Sequence, residues 1–241
     1  MLAAVATLSA FTPTAFAPPA AVLPAFAPTA LVRRSAEPTA LLSLGDADDF
    51  DPFTMAPYPD PTCESEIHRV RLSTTAGDCT VTLDRALSPI GVDHFLRLVA
   101  DGFFTDQLLY RVMPGFLVQF GVASDPMVQA RWEGSVLPDE PNRARFRHGT
   151  LSFAGNGPNS RNCHLFVALE PQGTDLGGAA HETTLGHVEE VEVFEKVAAN
   201  FDANEYPYLG DLQGQLVSLG NEAAQAYPNL DRILKAEILE A

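Results

Sequence analysis

Cysteine is scarce, with Cys63, Cys79 and Cys163 the only three in 241 residues. None pair as C-x-x-C, which argues against a zinc site and against a disulfide-dense scaffold. A single disulfide stays open, with no pair singled out by the sequence, and so does the redox compartment. Long apolar runs are missing as well. Prolines and polar residues break every stretch short of the ~20 apolar residues a membrane-spanning helix needs. Bases are few: 15 Lys and Arg face 31 Asp and Glu. Residues 1–35 hold Arg33 and Arg34 and no acid, so the remaining 206 residues carry 31 acids against 13 bases, a formal −18. So acidic a chain lacks the basic face that nucleic-acid phosphates demand. It also lacks the polybasic patch that holds a protein on an anionic membrane. Proteins, peptides and small molecules remain as partners.

What is present suits a folded protein. Hydrophobic residues make up 46% and charged residues 19% of the chain, an ordinary balance for one that buries a core. At ~150 residues per domain the length favours one domain with an appendage or two small domains.

The appendage is N-terminal. Residues 1–35 are rich in Ala and Pro and end in Arg33-Arg34-Ser35, the composition of a targeting segment rather than of a fold. Thr14-Ala15-Phe16-Ala17-Pro18, echoed at Ala25-Phe26-Ala27-Pro28, resembles the signal–transit junction of proteins sent to secondary red-type plastids. The resemblance implies a plastid destination, stroma or thylakoid lumen. A secretory leader is the alternative. Residues 36–66 are rich in Pro and Asp and read as an acidic extended linker.

The domain is expected over residues 67–241. His68 to Asp84 alternates polar and apolar on both sides of Thr75-Ala76-Gly77-Asp78, the pattern of a β-hairpin. Val70 and Leu72 share one buried face with Cys79, Val81 and Leu83, so Cys79 belongs to the core. Ser88-Pro89 opens a helix, Ser as N-cap and Pro at the first helical position, and Gly102 closes it. Strands are expected at Leu108–Met113, Phe116–Phe120, Thr150–Ala154, His164–Ala168 and Ile233–Leu239. A second helix is expected at Val191–Ala199, and an Ala-rich helical piece near Gln213–Ala226. Many short strands with one early and one late helix suggest a closed β-barrel capped by helices.

Two stretches carry chemistry. In Tyr110-Arg111-Val112-Met113-Pro114-Gly115-Phe116-Leu117-Val118-Gln119 an arginine lies inside an apolar strand, costly unless the charge has a purpose or a partner. Arg111, Leu117 and Gln119 share strand parity, and a bulge at Pro114-Gly115 would turn Phe116 toward them. In the second stretch, Leu151 to Val167, a strand runs into a Gly/Asn/Pro loop and another returns. Gly155 and Gly157 allow close approach of a ligand to the backbone. His164 and Phe166 share one face of the returning strand, and Cys163, Leu165 and Val167 the other. That parity argues against a Cys163–His164 nucleophile pair.

The segments YRVMPGFLVQ and GTLSFAGNGPNSRNCHLFV resemble the two signature stretches of cyclophilin-type peptidyl-prolyl cis–trans isomerases. Leu137-Pro138-Asp139-Glu140 and Leu185-Gly186-His187-Val188 add to the match, which covers roughly residues 67–239. The resemblance implies a mainly β fold, a closed eight-stranded antiparallel barrel capped by two helices. Phe201–Leu230 looks like an extra helical insertion before the last strand. The implied activity is isomerisation of Xaa-Pro bonds in protein clients, assisting folding, by a monomer without metal or cofactor. Arg111 matches the catalytic arginine. Phe116, Leu117 and Phe166 match the prolyl pocket, with Gln119 beside it. Ala154 and Gly155 match the backbone rail for the residue before proline.

The departures are specific. His164 stands where the family has glutamine, and Gly155 where it has asparagine. The next loop, Asp175 to Glu182, lacks the family's tryptophan; Leu176 is left as apolar cover, with His181 one position out of register. Trp132, the only tryptophan, lies elsewhere and is read as packing. The alternative these departures raise is a non-catalytic module that holds proline-containing segments.

Overall fold

The computed structural model describes residues 64–202 and 209–240. Residues 1–63, which hold the expected targeting segment, nearly all of the expected linker and Cys63, lie outside the described residues.

The first element is the hairpin that the alternation dictates. β1 (Ile67–Thr74) pairs antiparallel with β2 (Gly77–Asp84), with Val70 opposite Val81 and Leu72 opposite Cys79. All of the inward side chains, Cys79 included, are buried. α1 (Pro89–Ala100) lays Val92, Phe95, Leu98 and Val99 on the same core. Its N-terminus corrects the expected cap, because the Ser88 hydroxyl does not bond the helix backbone. Glu140 takes that place, accepting from the amides of Ile90 (2.9 Å) and Gly91 (3.0 Å) and from the Ser88 hydroxyl. The buried Arg161 guanidinium completes the cluster at 3.0 Å.

The remaining strands are short. The expected strand over 108–113 is broken into β3 (Gln107–Leu108) and β4 (Arg111–Met113), because each half pairs with a different partner. β5 (Leu117–Phe120), β6 (Thr150–Phe153), β7 (Leu165–Ala168) and β8 (Thr184–Val188) follow, and β9 (Arg232–Leu239) ends the described fold. They form one antiparallel sheet in the order β3-β9-β1-β2-β8-β6-β7-β5-β4. Nine strands replace the eight expected. The ladder ends at β3 and β4, which do not pair with each other although only Leu109 and Tyr110 separate them, so the sheet is an open half-barrel rather than a closed one.

Five helices are present among the described residues, where two and a helical piece near Gln213–Ala226 were expected. α3 (Glu192–Asn200) packs Val193, Phe194 and Val197 into the main core. α2 (Pro126–Glu133) has no continuous apolar stripe, which hid it from periodicity. Its signal is local: Asp125 accepts from the Met127 amide, and Pro126 opens the first turn. The stretch before β9 forms α4 (Leu209–Leu219) and α5 (Asn221–Ala224). Leu212, Leu216, Ala223 and Ala224 from these helices build a second apolar cluster with Leu108, Tyr110, Val122 and Leu230.

Candidate functional site

β4 and β5 form a hairpin, and this replaces the expected bulge. The Phe116 amide donates to the Met113 carbonyl across the turn (3.0 Å), with Gly115 in the left-handed region at φ +68°. The tight turn sets Arg111 directly opposite Gln119, and Gln119 stands opposite Phe166 on β7. One residue from each of three strands thus forms a row across the outer face of the sheet. Leu117, Phe166 and Ala168 make a small apolar cluster separate from the main core, packed by Phe116, Phe146, Ala154 and Leu176.

The cluster floors a surface groove of about 970 Å³. All nine residues singled out from sequence line it: Arg111, Phe116, Leu117, Gln119, Ala154, Gly155, His164, Phe166 and Leu176. His181 lines it too. Glycine at 155 makes room for that imidazole: a Cβ there would lie 2.8 Å from two of its ring carbons.

Arg111 is half-buried and makes no ion pair among the described residues. Its Nη1 donates to Gln119 Oε1 (2.9 Å), and Gln119 Nε2 donates to the Tyr110 hydroxyl (2.8 Å). The guanidinium is therefore held in place by a neutral partner and keeps its charge for a ligand. Tyr110 was missed by sequence reading because strand parity points it away from Arg111. The signal was available, since a buried tyrosine hydroxyl normally finds a hydrogen-bond partner.

That hydroxyl also contacts His164 Nδ1 at 3.2 Å, and His164 Nε2 lies 3.6 Å from Glu133 Oε1 at the end of α2. Burial pushes the His164 imidazole below its usual pKa, opposed by the Glu133 carboxylate. Burial likewise raises the Tyr110 phenol, so it stays protonated. Glu133, Phe201 and Gln213 line the groove and were also missed, Glu133 because α2 was not seen.

Cys163 lies in the main core, on the face opposite His164, and burial pushes its thiol up to about 12. Cys79 is raised similarly, and both are free thiols. No group of three or more His, Cys, Asp or Glu with metal-binding geometry occurs among the described residues. Trp132 is fully buried, its Nε1 donating to Asp101 Oδ2 (2.6 Å), away from the groove.

The described residues thus form an open antiparallel half-barrel with an apolar pocket beside the Arg111 guanidinium. The sequence model of the cyclophilin type peptidyl-prolyl cis-trans isomerase family matches residues 69–208, and the chain belongs to that family. Peptidyl-prolyl cis-trans isomerase-like 1 of Aspergillus niger is 31% identical over 109 residues, 43% of this chain and 65% of that protein. Peptidyl-prolyl cis-trans isomerase A of Dickeya dadantii is 36% identical over 85 residues, 35% of this chain and 45% of that one. The matched stretches thus span 65% or less of these relatives. Among solved structures, a cyclophilin type isomerase of Cryptosporidium parvum aligns with 73% of this chain and 99% of its own, at a TM-score of 0.53 and 21% identity. A structure of the same protein in the presence of the dipeptide Ala-Pro aligns equally over 99% of its length, at a TM-score of 0.52. At that identity the likeness is one of fold.

Proposed function

We propose that the protein catalyses cis–trans isomerisation of Xaa-Pro bonds in protein clients and assists their folding. The observation that carries this reading is the row Arg111–Gln119–Phe166: a cation without an acidic partner, fixed by an amide, at the rim of an apolar pocket. Rotation about the prolyl amide is opposed by ~18–20 kcal/mol because the nitrogen lone pair is delocalised into the carbonyl. Twisting localises that lone pair on nitrogen. A guanidinium donating to it binds the twisted state better than the planar one, and only such differential binding accelerates the step. Phe116, Leu117 and Phe166 hold the prolyl ring, Ala154 and Gly155 hold the residue before it, and Leu176 covers the pocket. The acyl side then turns about a fixed ring. Nucleophile, metal and general base have no part in this chemistry.

The test is an exchange assay on an Xaa-Pro tetrapeptide with the full chain. Acceleration over the uncatalysed rate is expected. Peptide binding without acceleration would replace this reading by a non-catalytic proline-binding module, a reading favoured by the absence of the family's tryptophan from the loop Asp175 to Glu182.

The N-terminal composition supports delivery to a plastid, in stroma or lumen, and action there as a monomer. Imaging residues 1–66 fused to a fluorescent protein tests the destination; secretion of the fusion would overturn it.

A further inference from the structure

One assignment of protons gives the buried Tyr110 hydroxyl both a donor to accept from and an acceptor for its own proton. Gln119 Oε1 accepts from Arg111, so the amide nitrogen must face Tyr110 and donate to its oxygen. The single hydroxyl proton is then left for His164 Nδ1 at 3.2 Å. An Nδ1 that accepts is unprotonated, so the neutral imidazole carries its proton on Nε2. That nitrogen faces Glu133 at 3.6 Å, beyond direct hydrogen-bond length, and both residues line the groove. Nε2–H thus sits in the groove lining with the Glu133 carboxylate as its long-range acceptor, a contact that a closer ligand acceptor would replace.

The ring of Tyr110 is fully buried in the second cluster, among Leu212, Leu216, Ala224 and Leu230. The inserted helices α4 and α5 thus wall in the aromatic ring whose hydroxyl reaches the site. Asn221 ties them down: its amide donates to the Ser124 carbonyl (2.9 Å) and its side chain to Asp106 (2.6 Å).

We propose that Tyr110, braced by the inserted helices, is a positioning residue that orients the Gln119 amide beneath Arg111 and fixes His164 as the Nε2–H tautomer, so that the groove presents an N–H donor to a backbone carbonyl of the bound client. The imidazole thereby supplies a donor at the position where the family signature has a glutamine. The kinetic half of this inference rests on the isomerase reading; the tautomer half does not.

The test uses nitrogen-15 NMR of the His164 ring in the full chain, together with kcat/KM on an Ala-Pro tetrapeptide. The wild-type ring is expected as the Nε2–H form, a readout that needs no variant. Tyr110→Phe keeps the packing and removes the hydroxyl. It is expected to fold, to mix the tautomers and to lower kcat/KM about tenfold. A wild-type Nδ1–H ring overturns the proposal, as does a Tyr110→Phe protein in which either the tautomer or kcat/KM stays unchanged. If the wild type shows no isomerase activity, the functional reading fails by itself. Affinity for the same tetrapeptide then replaces kcat/KM, with the tautomer criterion unchanged.

Discussion

Gly155 and His181 occupy one volume: a methyl group on Gly155 would sit 2.8 Å from Cγ and Cδ2 of the imidazole and 2.7 Å from the Ser160 hydroxyl. The missing side chain on the rail and the histidine on the facing loop are thus two halves of one adjustment. Gly155→Ala is expected to push the ring into the groove and weaken tetrapeptide binding by about 1 kcal/mol or more, the scale of overpacking. Combining it with His181→Ala should recover part of that loss in a calorimetric titration. Strictly additive losses would show that the two residues do not share the space.

On the proposed mechanism, Arg111→Ala removes the group that donates to the prolyl nitrogen. Transition-state stabilisation is expected to fall by about 2 kcal/mol, roughly 30-fold in kcat/KM. Thermal stability should hardly change, because the guanidinium's partner is a single neutral amide. Equal rates for variant and wild type would remove Arg111 from the mechanism.

His94 gives the fold an acid sensitivity. Its ring is buried, edge-on to Trp132 (5.3 Å) and Phe153 (5.8 Å). Burial lowers its pKa from 6.5 to about 3, helped by the Arg97 and Arg161 charges and opposed by the Asn162 backbone. The unfolded chain therefore binds a proton that the folded one refuses. Stability is fully present above about pH 6.5 and falls toward pH 3, by up to about 1.4 kcal/mol per pH unit. Urea denaturation across pH 7 to 5 should show this slope, and His94→Phe should flatten it. An unchanged slope in the variant would assign the sensitivity to other groups.

Glu140 is a buried carboxylate with four donors. Glu140→Ala leaves the Arg161 charge buried without its partner and the first turn of α1 uncapped. A loss of about 3–5 kcal/mol is expected, the range for breaking a buried ion pair by removing one member. Chemical denaturation measures it, and a loss under about 1 kcal/mol would show that water replaces the carboxylate.

The site was more legible in the sequence than the frame around it. Arg111 stood out as a charge inside an apolar strand, on the parity of Gln119, whereas Phe166 was joined to them by the resemblance of the two signature stretches. The hairpin stayed hidden: periodicity does not distinguish a bulge from a turn, and the cross-strand pairing of Arg111 with Gln119 decided it. Ser88 fitted an N-cap by position, yet the carboxylate that caps the helix comes from Glu140, 52 residues further on. α2 escaped because it presents only Gln129 and Trp132 as buried side chains. With it went Glu133; the inserted helices were expected, but their packing around Tyr110 is a long-range contact that local pattern does not reveal.

The reach of Glu140 also governs the order of events during synthesis. Its helix partners lie 49 to 52 residues upstream and Arg161 lies 21 downstream. At roughly 5–20 residues per second, α1 leaves the ribosome about 3 to 10 s before the residue that completes its first turn exists. A helix that waits so long for a distant cap cannot seed the fold alone. The cap and its buried ion pair form only once the segments carrying Glu140 and Arg161 have been made, a non-local contribution to the folding of α1.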